Sequence, residues 1–156
     1  MYPDHPLADE RELSPIAFIL NLLWLVCGGA FAALGWFIAA LIMVVTIIGI
    51  PWARAAFDNG VYSLWPFGAK PMARDRLYGE DIGTGPLGFL GNLIWFFLAG
   101  WWLALGHVFA AIGLAITIIG LPFAWAHLKL AGFALWPIGR TIVASNVRPG
   151  YYRRAY

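Results

Sequence analysis

The chain has 156 residues, 62% of them hydrophobic and 12% charged, with a mean hydropathy of +0.75 and a net charge of +2. So apolar a composition excludes an ordinary water-facing globular surface, and so small a charge leaves no electrostatic footprint for nucleic acid. The single Cys27 excludes an intramolecular disulfide and a cysteine metal cluster.

Residues 1–15 open with "MYPDHPLADERE", a polar and mostly acidic tail with none of the features of a cleavable signal, so insertion is expected through the spans themselves. Between Glu12 and Arg54 lie 41 residues without Asp, Glu, Lys or Arg. A membrane span needs about 20 apolar residues, so this run is either one steeply tilted helix or a tight hairpin. A hairpin predicts a turn near Leu34-Gly35-Trp36, and in the second apolar run the matching turn near Leu105-Gly106-His107. Asn21 and Thr46 are the polar groups singled out within the first run, each able to line a pathway or to bond a neighbouring helix or carbonyl. Gly29 with Ala33 supplies the small-residue spacing that lets helices approach closely.

The run ends on "TIIGIPWARA", where Pro51 forces a kink or starts a new helix. In "WARAAFDNGVYSLW", Arg54 and Asp58 sit four apart with Asn59 beside them, which predicts an interfacial amphipathic helix with an Arg54–Asp58 surface pair and lipid-headgroup contact. The phrase "LWPFG" closes the unit at Gly68. A linker, 69–87, follows and carries Lys70, Arg74 and Arg76.

Between Asp81 and Lys129 lie 47 further residues without a charged side chain. Sliding the chain by 71 positions matches Asn21–Gly68 to Asn92–Gly139 at 20 of 48 positions, including Asn92, Trp95, Gly106, Thr117 and Pro122. This is a tandem duplication of a structural module, with repeat 1 over 16–68 and repeat 2 over 88–139. Asn92, His107 and Thr117 are the second repeat's pathway or interhelix candidates, Pro122 its kink, and Gly100 with Ala104 its small-residue pair. Its closing helix keeps only His127 and Lys129 as polar anchors, and Lys129 and Arg140 join Arg54 as candidate headgroup contacts. The nine tryptophans read mostly as interfacial anchors.

The paired pattern of "NLLW" or "NLIW", "LGW" or "LGH", "TIIGIP" or "TIIGLP" and "LWPFG" or "LWPIGR" resembles the YccF family of small bacterial inner-membrane proteins, over residues 16 to 143. That resemblance implies a multi-pass protein of the bacterial inner membrane built from two copies of one domain, and it brings no catalytic activity with it.

The fold expected is therefore all-α, with two tandem repeats, each a transmembrane hairpin followed by a Pro-initiated interfacial amphipathic helix, four spans in total. The basic linker and the basic tail 140–156, with Arg140, Arg148, Arg153 and Arg154, belong together on the cytoplasmic side, and the crossing count places the acidic tail there too. No phosphate loop, nucleophile elbow or metal-ligand spacing is present, so no enzyme, metal or cofactor is expected. The preferred function is a homo-oligomeric small channel or transport component lined by the polar residues. The alternative is a structural or accessory protein that binds membrane lipid, anionic lipid included, or a partner membrane protein.

Overall fold

A computed structural model of the chain describes residues 14–47 and 49–150. The acidic tail, except for its last two residues, and Arg153 and Arg154 lie outside the described residues. Ser14 caps the first helix by accepting from the Ala17 N–H at 3.1 Å, and Pro15 occupies its first turn, where a missing donor has no consequence. Helix α1, Pro15–Trp24, continues through a π-helical turn, Leu25–Gly29, into α2, Ala30–Val45. Helix α3 is Ile50–Leu64, followed by strand β1, Ala69–Ala73, and a short 3-10 turn, Arg74–Arg76. The second repeat copies the plan: α4 is Pro86–Trp95, the π turn Phe96–Gly100, α5 Trp101–Ala115, α6 Leu121–Leu135 and β2 Arg140–Ala144.

The expected turns at Gly35 and Gly106 are not there. Both glycines lie inside helices, with open space where a Cβ would stand, so nothing at those positions interrupts the backbone ladder. The chain reverses instead at the shared phrase. After Val45 the Thr46 hydroxyl donates to the Met43 carbonyl at 3.0 Å, Ile47 takes a positive φ of 61°, and Gly49 passes so close to Met43 that a Cβ would meet its backbone at 2.7 Å. Gly120 packs still more tightly on the Leu114 carbonyl. Pro51 and Pro122 stand in the first turn of α3 and α6, so they start helices and do not kink them.

The bends fall elsewhere, at the π turns. Trp24 and Trp95 each lay an indole over the glycine five residues on, Gly29 or Gly100, where any side chain would collide or crowd the ring. The extra residue in each turn makes room for this, and Gly28 takes a φ of 144° in repeat 1.

Helix α3 packs back along α2, burying Ala53, Ala56, Asn59, Gly60, Tyr62 and Ser63 and leaving Arg54 exposed on the other side. Gly60 is the close-approach point: a Cβ there would strike the Phe37 ring at 2.5 Å. Helix α6 packs on α5 in the same way. The fold is also not purely helical. Linker and C-terminal segment join as an antiparallel ribbon with Ala69 opposite Ala144 and Ala73 opposite Arg140. Met72, Leu77, Val143 and Val147 form a small core beneath it.

Neither repeat completes its own core. One cluster combines Trp24, Tyr62 and Phe67 of repeat 1 with Ala126, Leu130 and Phe133 of repeat 2; another combines Trp36, Ala40 and Ala56 with Trp95 and Ala134. The interior is largely alanine, glycine and tryptophan, whereas Ile16, Phe31, Val45, Phe97, Phe109 and Ile118 face outward. That distribution reverses the soluble pattern and suits helices that approach closely inside lipid. Two helices, Pro15–Val45 and Pro86–Ala115, are long and apolar enough to cross a membrane, and only 22% and 17% of their most apolar stretches is buried.

Candidate functional site

Three groups of polar residues hold each repeat together or line the space between the two. The first holds the two asparagines. Asn21 donates to the Phe67 carbonyl at 2.9 Å and accepts from the Phe67 N–H at 3.0 Å; Asn92 does the same with Ile138, at 3.0 and 2.9 Å. Each amide thus mimics a strand partner for the residue after the Trp-Pro pair, which no helix or ribbon would otherwise satisfy. The Trp24 and Trp95 indoles donate to the Ser63 and Ala134 carbonyls at 2.6 and 2.8 Å. With Trp36, these rings are buried in the core and are not interfacial anchors. Thr117 repeats the role of Thr46, donating to Leu114 O at 3.2 Å and accepting from the Gly120 N–H at 3.0 Å.

The second group is a histidine pair. His107 on α5 and His127 on α6 approach through their Nδ1 atoms at 2.9 Å, so one ring holds the Nδ1 proton and donates it to the other. His127 also meets the edge of Trp24, with ring centroids 4.9 Å apart. The sequence marks His107 as a pathway candidate and His127 only as a polar anchor of the closing helix. The two lie 20 residues apart, and only the reversal at Thr117–Gly120 brings them together. Repeat 1 fills the matching positions with Trp36 and Ala56, one large and one small side chain in place of two medium ones. The pair therefore serves as a volume-matched filling of the core as well as a proton-holding one.

The third group gathers the charges. Arg54, Asp58, Arg74 and Arg140 line a crevice of about 480 Å³ between α3, the start of α4 and the start of β2. Arg74 is clamped by Asp81, Nε to Oδ2 at 2.6 Å and Nη2 to Oδ1 at 3.0 Å, and the same carboxylate accepts from the Gly83 and Thr84 N–H groups. The Arg74 hydrogen bond foremost, aided by its charge and by the two amides, holds the Asp81 carboxyl down at about 2. Arg54 and Asp58 lie outside ion-pair distance, so the expected surface pair does not form. Lys129, expected at a headgroup, turns inward and donates to the Pro66 carbonyl at 2.9 Å while standing 5.7 Å from the Tyr62 ring centroid.

Two buried polar residues escaped the sequence reading. Asn59, placed there on the polar face beside Asp58, is fully buried, and neither its amide oxygen nor its nitrogen finds a partner among the described residues; the Ser63 hydroxyl is unpartnered too. Helical spacing carries a signal that was available: Asn59 and Ser63 are four apart, on the face that also buries Ala56. Among the described residues no three His, Cys, Asp or Glu gather at metal-binding distance.

The profile of YccF, described as an inner membrane component domain, matches residues 19–69 and 90–140, two segments separated by the same 71 positions that relate the internal repeat. The chain is 37% identical over 128 residues to the inner membrane protein YccF of Escherichia coli (strain K12), an alignment covering 81% of this chain and 86% of the relative. The inner membrane protein YccF of Shigella flexneri matches to the same extent. No solved structure matches. With its inverted burial pattern, its two span-length helices and both matched segments, the chain belongs to the YccF family of inner membrane components.

Proposed function

We propose that this protein is a non-catalytic structural or accessory component of the inner membrane, a scaffold of two interlocked repeats that binds lipid or a partner membrane protein. One observation carries the reading: Asn21 and Asn92, the amides best placed to line a pathway, have their donors and acceptors engaged by Phe67 and Ile138 within the protomer. A polar group so matched stabilises the fold without offering a site to a passing ion.

Both termini are cytoplasmic, and each repeat enters and leaves the bilayer on that side. The β1–β2 ribbon supports this, since it ties Lys70, Arg74 and Arg76 to the same side as Arg140 and Arg148. So do the starts of the return helices: Trp52 bonds the Gly91 carbonyl and Phe123 packs on Phe67, so the first turn of each return helix lies beside the residues that lead into the ribbon. In a Cys27→Ala background, cysteines at Ile118 and at Lys70 are both spared by a label added outside intact cells. Labelling at Ile118 alone would make each hairpin a full crossing.

Planar-bilayer recordings of the reconstituted protein stay at background. A conductance above background that His107→Leu abolishes overturns the accessory reading. It would favour instead a homo-oligomeric channel or transport component, the second reading, which the His107–His127 pair supports as a proton-holding group between two apolar helices.

A further inference from the structure

The two repeats meet in two related crevices, and only one is filled. On the filled side Phe123 packs with Trp24 and Phe67, Leu20 and Ala17 lie against the same cluster, and Lys129 closes the opening on the Pro66 carbonyl. On the other side the matching positions carry Trp52, Trp95, Ile138, Gly91, Gly88 and Asp58. A phenylalanine has become isoleucine, a leucine and an alanine have become glycines, and the plugging cation has become an acid. The loss of side-chain volume leaves the crevice of about 480 Å³.

Its walls are held in place. The Trp52 indole donates to the Gly91 carbonyl at 2.9 Å, and Gly88 lies so close under the Gly83 carbonyl that no side chain fits between them. The Arg74–Asp81 clamp fixes the loop that supplies Gly83. Arg140 is half-buried at one end, and among the described residues it has no carboxylate at ion-pair distance. Burial foremost, and then the like charge of Arg76, lower its pKa, which marks a cation short of a counter-anion. Arg54 is likewise without an ion pair, while Leu87, Leu90 and Ile94 extend outward from the same crevice as an exposed apolar ladder on α4.

We propose that this crevice binds an anionic glycerophospholipid, its phosphate between Arg54, Arg74 and Arg140 and an acyl chain along Leu87, Leu90 and Ile94. Guanidinium groups suit a phosphate diester because their forked donors match its oxygens, and the apolar ladder would have no role for a soluble anion. The inference rests on the accessory reading and adds to it the ligand class and the place. It also separates Arg54 and Arg140 from Lys129, which serves the filled crevice instead.

The test is native mass spectrometry of the full chain released from micelles containing equal phosphatidylglycerol and phosphatidylcholine. The wild type retains phosphatidylglycerol with a preference of about tenfold or more, and Arg54→Gln with Arg140→Gln lowers retention by about tenfold. Gly91→Leu, which restores the bulk of Leu20 and meets only the tip of Ile138, lowers retention of either lipid. Circular dichroism confirms that both variants keep the helical fold. Equal retention of the two lipids overturns the proposal, as does a preference unchanged in both variants. Displacement by millimolar inorganic phosphate would assign the site to a soluble anion, and lipid binding that appears only after removal of residues 1–13 would assign it to that acidic segment. None of these results alters the conductance measurement, so failure here is distinct from failure of the accessory reading.

Discussion

Where repeat 1 carries Trp36, Ala56, Asp58 and Asn59, repeat 2 carries His107, His127, Lys129 and Leu130. The backbones around these positions follow one plan, with a long bent helix, a reversal at the shared Thr-Ile-Ile-Gly phrase, a Pro-started return and a strand. What differs is how each half meets its partner. The lysine of repeat 2 reaches across to satisfy carbonyls at the end of repeat 1, whereas the aspartate of repeat 1 faces a crevice edged by arginines. A duplicated module packed against its copy has two equivalent seams, and changing a few side-chain volumes and one charge sign closes one seam while opening the other.

The largest expected effect tests what the halves share. Asn21→Leu and Asn92→Leu each remove two hydrogen bonds to one peptide unit, and each should lower stability by about 2–4 kcal/mol in detergent unfolding. The first should cost more, because both of its bonds are buried while those of Asn92 are half-buried. Equal or negligible losses would show that water replaces the amides.

The next test makes repeat 1 resemble repeat 2. Asn59→Leu with Ser63→Ala installs the residues of Leu130 and Ala134 in place of unpartnered polar groups, and should raise stability by about 1–3 kcal/mol. A lower melting temperature would mean that something beyond the described residues satisfies Asn59.

Smaller is the effect of removing the plug. Lys129→Met should cost about 1 kcal/mol through the carbonyls of Pro66 and Ala69, while Asp58→Asn should fall within about 0.5 kcal/mol of wild type, since Asp58 makes no ion pair. A reversed order would make the open seam the stabilising one.

The smallest effect is Asp81. Its carboxyl lies below the ordinary 3.8, at about 2, so its contribution is present above pH 4, and falls away as the pH drops through about 2. With the side chain 42% exposed, solvent screening reduces the contribution to about 0.5 kcal/mol. Asp81→Asn should remove that part of the acid dependence and leave stability at pH 2 unchanged.

Much of this was legible in the chain. The 71-residue offset, the matched Asn, Trp, Gly and Pro positions and the small-residue interior could be read directly, because a repeated apolar segment exposes its constraints wherever a residue other than an aliphatic recurs. The reversal was misplaced for a physical reason. A glycine in an apolar run looks like a turn, but Gly35 and Gly106 meet nothing, while the glycines that matter, Gly49 and Gly120, are those pressed against a backbone that lies six residues away. Arg54 and Asp58 mark the polar face of α3 in the sequence; the opposite face, alanine, glycine, Asn59 and Ser63, gives no hydrophobic signal although it is the buried one.

By itself the sequence determined the membrane setting, the duplication, the family and the pairing of basic segments on one side, all of which follow from composition, identity and charge position. Tertiary structure alone decided where the chain turns, which histidine meets His107, that Lys129 points inward, and that one seam is open. Those outcomes depend on steric contacts between residues far apart in the chain, such as Lys129 on Pro66 and Trp52 on Gly91, and no local pattern encodes a distance between two helices.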